Sequence, residues 1–131
     1  MERWATFDCY GTLIDWNGGV RGELARVFGE DHADELLARY HELEPELQAD
    51  GTLSYREVLT EAMRQLGAPP EEHDALAQSL PNWEPFPEVP AALEEARSRG
   101  WKLAIRARAR IGKWWPHCGQ TLRCWASSSS R

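Results

Sequence analysis

Only two stretches of this chain read as β-strands, and a long run of helical pattern separates them. Residues 3–8 are rich in aromatic and β-branched types (Trp4, Thr6, Phe7), and residues 101–105 look like a second buried strand. A separation that long, filled with helix, rules out a hairpin. It predicts parallel pairing through a right-handed crossover. The crossover helix is residues 87–99: Pro87 suits its first turn, Val89, Leu93 and Ala96 share a face, and Gly100 stops it. Four helical stretches come before it, so a βαβ unit carries an insertion that leaves from the carboxyl end of the first strand.

The insertion can be followed residue by residue. Asn17, Gly18 and Gly19 punctuate the chain, and a helix follows with Val20, Leu24, Val27 and Phe28 on one side and Gly29 as its stop. A second helix starts near Ala33 with Leu36, Leu37, Tyr40, Leu43 and Leu47 in register. Pro45 lies inside that pattern and predicts a kink or a restart. Ser54 and Glu57 form a capping box ahead of Val58, Leu59, Ala62, Met63 and Leu66, and Gly67 ends that helix. Pro69, Pro70, Glu71 and Glu72 open a further helix with Leu76 and Leu80 as its modest apolar face. Residues 81–87 are too proline-rich for regular structure and read as a connector.

Composition narrows the class. The chain has 131 residues, 42% hydrophobic and 27% charged, which fits a soluble globular protein of one domain, or a domain carrying a small insertion. No apolar run approaches the roughly 20 residues of a membrane span. The amino terminus carries no apolar signal segment, so a cytoplasmic location is the default expectation. Cys9, Cys118 and Cys124 are odd in number and form no disulfide framework. The spacing of His117, Cys118 and Cys124 matches no zinc template, so no metal site is expected. The net charge of −6 hides an asymmetry. All 21 acids precede residue 96, whereas Arg106, Arg108, Arg110, Lys113, Arg123 and Arg131 follow residue 105 with no acid among them.

The chemistry-bearing stretch is Thr6 to Asp15. Asp8 stands at the carboxyl end of the first strand, where ligands bind in open parallel sheets, and Gly11 and the hydroxyl of Thr12 follow it. Phe7, Asp8, Cys9, Tyr10, Gly11, Thr12 and Leu13 together resemble the first motif of the haloacid dehalogenase-like (HAD) hydrolase superfamily. The helical insertion is similar to the cap of that superfamily. The fold implied is α/β: a partial Rossmann-like, HAD-type parallel sheet with an inserted α-helical cap. Residues 1–16 would be the first strand and catalytic loop, 17–82 the cap, 83–105 the return to the core, and 106–131 an aberrant basic tail. The cap would lie over Asp8 as a lid.

Tyr10 narrows the resemblance. Phosphatases of the superfamily carry a second aspartate at that position, as general acid and magnesium ligand. A tyrosine there is similar to the type II, L-2-haloacid dehalogenases, as are residues 83–87 and 100–105. The resemblance implies a hydrolase that dehalogenates a small 2-haloacid through an aspartyl ester. Asp8 is the nucleophile, Thr12 orients its carboxylate, and Tyr10 and Arg39 are substrate-binding residues. An aspartate of ordinary pKa, about 3.9, is already ionised at pH 7 and needs no activating base. Halide is a weakly basic leaving group, so no general acid is needed at position 10. No cofactor is implied, and the partner is a small anionic substrate. Oligomeric state stays open, with a homodimer as one option.

Two alternatives remain. One is a phosphatase or phosphonatase of the same superfamily, which would require Mg2+. The other is a non-catalytic fragment with a basic binding tail, although a short charge block without a binding fold argues against a nucleic-acid partner. After Ile105 the family pattern breaks. The expected Ser or Thr followed by Asn is replaced by Arg106 and Ala107, and no later lysine context or acidic motif follows. The chain therefore reads as truncated or frameshifted after Ile105, with impaired activity.

Overall fold

A computed structural model describes residues 1–105; residues 106–131, including Lys113, His117, Cys118, Cys124 and the basic tail, lie outside the described residues. Strand β1 is Arg3–Phe7 and strand β2 is Trp101–Ile105. They pair in parallel, with Arg3 opposite Trp101 and Phe7 opposite Ile105. Between them run α1 (Trp16–Phe28), α2 (Ala33–Gln48), α3 (Tyr55–Gln65), α4 (Ala75–Ser79) and α5 (Val89–Ser98). The described residues divide into two units, one formed by residues 1–15 and 84–105, the other by Trp16–Trp83.

In the first unit α5 leads directly into β2, giving the expected strand–helix–strand arrangement. Leu93 of α5 is buried, as are Cys9, Leu13 and Ile14 of the loop that follows β1. Trp101 is anchored from the neighbouring strand by Arg3, whose guanidinium lies 4.9 Å from the indole centroid and donates a 2.6 Å bond to the Arg99 carbonyl. On the opposite face of the sheet Lys102 covers Trp4, which stays 54% exposed, and pairs with Glu2. The second strand was expected to be buried. Among the described residues it is only half-covered: β1 is its one strand neighbour, and α5 packs against it.

Where the chain leaves this unit and where it returns, its two passages are hydrogen-bonded to each other. The Phe86 N–H donates to the Leu13 carbonyl (3.1 Å) and the Asp15 N–H donates to the Glu84 carbonyl (2.9 Å), in the antiparallel sense. This clip gives part of the proline-rich connector a partner that composition alone did not announce. Pro87 falls outside α5, which begins at Val89 and carries Pro90 in its first turn instead. Either proline satisfies the same rule, since the first turn of a helix has amides with no acceptor to lose.

The second unit is built on α1, α2, α3 and α4, whose buried residues include Val20, Leu24, Tyr40, Leu43, Val58, Leu59, Met63 and Leu76. The capping box at α3 is present: the Ser54 hydroxyl accepts from the Glu57 amide and the Glu57 carboxylate from the Ser54 amide (2.7 Å). Three expectations change here. Asn17, Gly18 and Gly19 do not interrupt the chain but form the first turn of α1, and Gly19 is held there by the indole of Trp83, which leaves no room for a side chain. Pro45 neither breaks nor restarts α2, because it lies in the last turn, with only Glu46, Leu47 and Gln48 beyond it. The segment after Pro69 is a short 3-10 turn (Pro70–Glu72) followed by α4, not one helix.

Paired charges join the segments of this unit. Arg21 reaches Asp34 (2.7 Å) and Glu30 (2.7 Å), and Arg26 reaches Glu23 (2.7 Å) and Glu72. At the junction of α1, α2 and α3, the Trp16 indole N–H donates to the Tyr55 hydroxyl (3.0 Å) and its ring stacks on His41 at 5.2 Å. Asn17 Oδ1 lies 2.8 Å from His41 Nε2. Among the described residues, no helix is long and apolar enough to cross a membrane.

Candidate active site

The loop after β1 owes its shape to one carbonyl. Cys9 accepts from the amides of Thr12 (3.3 Å), Leu13 (2.8 Å) and Ile14 (3.0 Å), which folds residues 9–14 into a single tight turn. Gly11 donates to the Ile14 carbonyl (2.9 Å) and has a φ of +79°, so glycine is required by backbone conformation; its Cβ position faces open space. Cys9, Leu13 and Ile14 point inward and are buried, which is what holds the turn against the unit. The polar residues Asp8 and Thr12 are exposed.

Asp8 immediately follows the last residue of β1, at the carboxyl edge that β2 reaches at Ile105, and it is exposed. Thr12 is exposed on the same turn, and Tyr10 is half-buried and bridged to Ile14. Three of the four expected site residues are thus gathered on one short loop of the first unit.

Arg39 belongs to α2 in the second unit. Its side chain is 59% exposed, and Nη1 pairs with Glu42 Oε2 at 2.7 Å, one turn further along the same helix. Glu42 had no signal in the sequence reading, since an acid three residues from an arginine is commonplace on any helix surface. In the Trp16, Tyr40, His41 and Tyr55 group only Tyr40 was expected, on the apolar stripe of α2, and the members follow no single period.

Burial perturbs two groups beside that aromatic junction. Desolvation raises the Glu44 carboxyl above the usual carboxylate range, although Gln48, which donates to it at 2.9 Å, and Tyr55 pull the other way. Desolvation also raises the fully buried Tyr40 hydroxyl, and the nearby Tyr55 and Glu44 push it further up. Among the described residues no group of three or more His, Cys, Asp or Glu side chains is placed to hold a metal ion.

No protein-family model matches the sequence, and no curated protein matches it either. Solved structures do share its fold. An L-2-haloacid dehalogenase from Xanthobacter autotrophicus with chloropropionic acid covalently bound superposes with a TM-score of 0.66 at 17% identity, over 85% of this chain and 48% of that one. A crystal structure of a dehalogenase gives 0.62 at 22% identity, over 82% of this chain and 51% of the other. A defluorinating L-2-haloacid dehalogenase gives 0.56 at 23% identity, again over 82% and 51%. The chain spans about half the length of each. Its fold is therefore the α/β fold with helical cap found in the L-2-haloacid dehalogenases.

Proposed function

We propose that this chain is a hydrolase of the haloacid dehalogenase type, acting on a small 2-haloacid with Asp8 as nucleophile, its activity impaired because the motifs the family places after Ile105 are missing from the sequence. The observation that carries this reading is the loop after β1: a carboxylate at the sheet's carboxyl edge, with a tyrosine two residues on, in a fold shared with L-2-haloacid dehalogenases. An Asp8 oxygen attacks C2 of the substrate from the side opposite the halogen. The carbon–halogen bond breaks, halide leaves with the electron pair, and an ester joins C2 to Asp8. Water then hydrolyses the ester, restoring the carboxylate and releasing the 2-hydroxyacid and one proton. Thr12 orients the attacking carboxylate, and Tyr10 packs against the substrate.

Position 10 weighs against a phosphomonoesterase. Expelling an alkoxide requires a proton at the leaving oxygen, and a carboxylic acid two residues after the nucleophile could supply it. A phenol of ordinary pKa about 10 is a far weaker acid. Expelling halide requires no proton.

The test is halide release from (S)-2-chloropropionate by the 131-residue chain, beside phosphate release from p-nitrophenyl phosphate with and without Mg2+. Halide release that Asp8→Asn abolishes supports the proposal. Magnesium-dependent phosphate release with no halide would replace it by the phosphatase reading.

A further inference from the structure

The two-stranded sheet of the first unit carries a protrusion on one face and a hollow on the other. Side chains of a strand alternate between faces, so Trp4 stands on the side away from Ala5, and Lys102 on the side away from Trp101. The Trp4 indole is the one aromatic ring among the exposed large hydrophobic side chains of the described residues. Lys102 lies 5.4 Å from its centroid and pairs with Glu2, so the ring is accompanied by one cation and one anion. On the other face a cavity of about 290 Å³ opens between α5 and the sheet, lined by Ala5, Ala92, Ala96 and Trp101. Glu95 and Arg99 also line it and pair with each other. The Trp101 wall is fixed by the Arg3 guanidinium over its ring. That volume is just below the roughly 300–1,000 Å³ of small-molecule sites, and three alanines offer no side-chain hydrogen bond to orient a polar ligand. A single bulky apolar side chain suits the space.

We propose that this hollow receives Trp4 of a second copy of the chain, in a head-to-tail contact. Two features select that occupant. The plug is a flat aromatic ring whose burial removes apolar surface from water. The surroundings are complementary in charge: Lys102 beside the plug meets Glu95 at the hollow, and Glu2 meets Arg99. Each acid and each base exchanges its partner, so no charge is left alone. Plug and hollow lie on opposite faces of one sheet, so the contact joins different patches of the two copies and leaves one of each free at the ends. Such an assembly grows as an open chain. One indole and its surroundings cover far less than the roughly 1,200–2,000 Å² of a stable interface, so the association is weak and reversible.

The test is analytical ultracentrifugation of the full 131-residue chain from roughly 10 μM to 1 mM, the range of a weak contact. The weight-average mass rises with concentration and passes that of a dimer. Trp4→Ser lacks the plug, and Ala92→Gln overhangs the hollow from an exposed helix position; each stays monomeric. Mixed in equal amounts they form a 1:1 dimer that grows no further, since one brings the hollow and the other the plug. Exposed charge changes, which leave the fold intact, supply a second pair. Lys102→Glu and Glu95→Lys each weaken association, and their mixture regains it. A parent chain that remains monomeric throughout the range overturns the proposal. An Ala92→Gln chain that still dimerises also overturns it, pointing to a two-fold contact elsewhere. So does failure of both mixtures to associate.

Discussion

Trp83 lays its indole so closely over Gly19 that a Cβ on residue 19 would stand 2.4 Å from Trp83 Cδ2. The indole is itself tied down, because its N–H donates to the Ser79 hydroxyl (2.9 Å), which donates in turn to the Leu76 carbonyl (2.9 Å). Glycine inside α1 is therefore a packing requirement.

Gly19→Ala should destabilise the chain by about 1–2 kcal/mol. Overpacking typically costs about 1–3 kcal/mol, and the better helix propensity of alanine offsets up to about 1 kcal/mol of that. Gly22, one turn along α1 with nothing within 4 Å of its Cβ position, is the control. Gly22→Ala should stabilise by about 0.5–1 kcal/mol. Urea denaturation of both variants measures the pair, and equal shifts in the same direction would contradict the Trp83 contact.

Ser54→Ala removes the hydroxyl that accepts from the Glu57 amide at the start of α3. Losing an N-cap typically costs about 1 kcal/mol. Because Glu57 also loses its reciprocal geometry, Ser54→Ala with Glu57→Ala should cost less than the sum of the single changes. A double-mutant cycle by thermal unfolding checks the coupling.

Glu44 controls a pH dependence of definite sign. Burial raises its carboxyl above the unfolded value, so the fold favours the neutral form. That favourable contribution is present below the unfolded pKa and is lost as pH rises through the raised one. Glu44→Gln keeps the neutral, hydrogen-bonding shape at every pH. The melting temperature of the variant should exceed that of the parent at pH 7, and the difference should shrink toward zero near pH 4. A difference that grows on acidification would reverse the assignment.

Displacement at C2 inverts that carbon once, and hydrolysis of an ester at its acyl carbon leaves C2 untouched. Under the proposed reaction (S)-2-chloropropionate yields (R)-lactate. A single turnover in 18O-labelled water places the label in Asp8 and not in the product, as mass spectrometry of the peptide containing residue 8 can read. Asp8→Asn should lower halide release by at least ~10^3-fold with stability changed by less than about 0.5 kcal/mol, since the side chain is exposed.

What could be read from the residues alone depended on how local the cause was. The start of α3 was legible because Ser54 and Glu57 satisfy each other within one turn. The parallel pair β1–β2 was legible because a helix-filled separation excludes a hairpin. Asp8, Tyr10 and Thr12 fell on one loop because they are neighbours in the chain. Gly19 was misread as a breaker because its reason, Trp83, is remote in sequence. The Leu13–Phe86 and Asp15–Glu84 bonds were invisible for the same cause: backbone atoms pairing across that distance leave no side-chain pattern.

That clip has a practical meaning. Asp15 and Glu84 flank everything from Trp16 to Trp83, and the amide of one is 2.9 Å from the carbonyl of the other. A segment whose two ends meet is a natural cassette, and a short Gly-containing turn could join residue 15 to residue 84 in its place. The helical module could equally be grafted into another scaffold that offers two adjacent antiparallel strand ends. Evolution could exchange such a module by insertion at a single point, replacing the cap without redrawing the loop that holds Asp8.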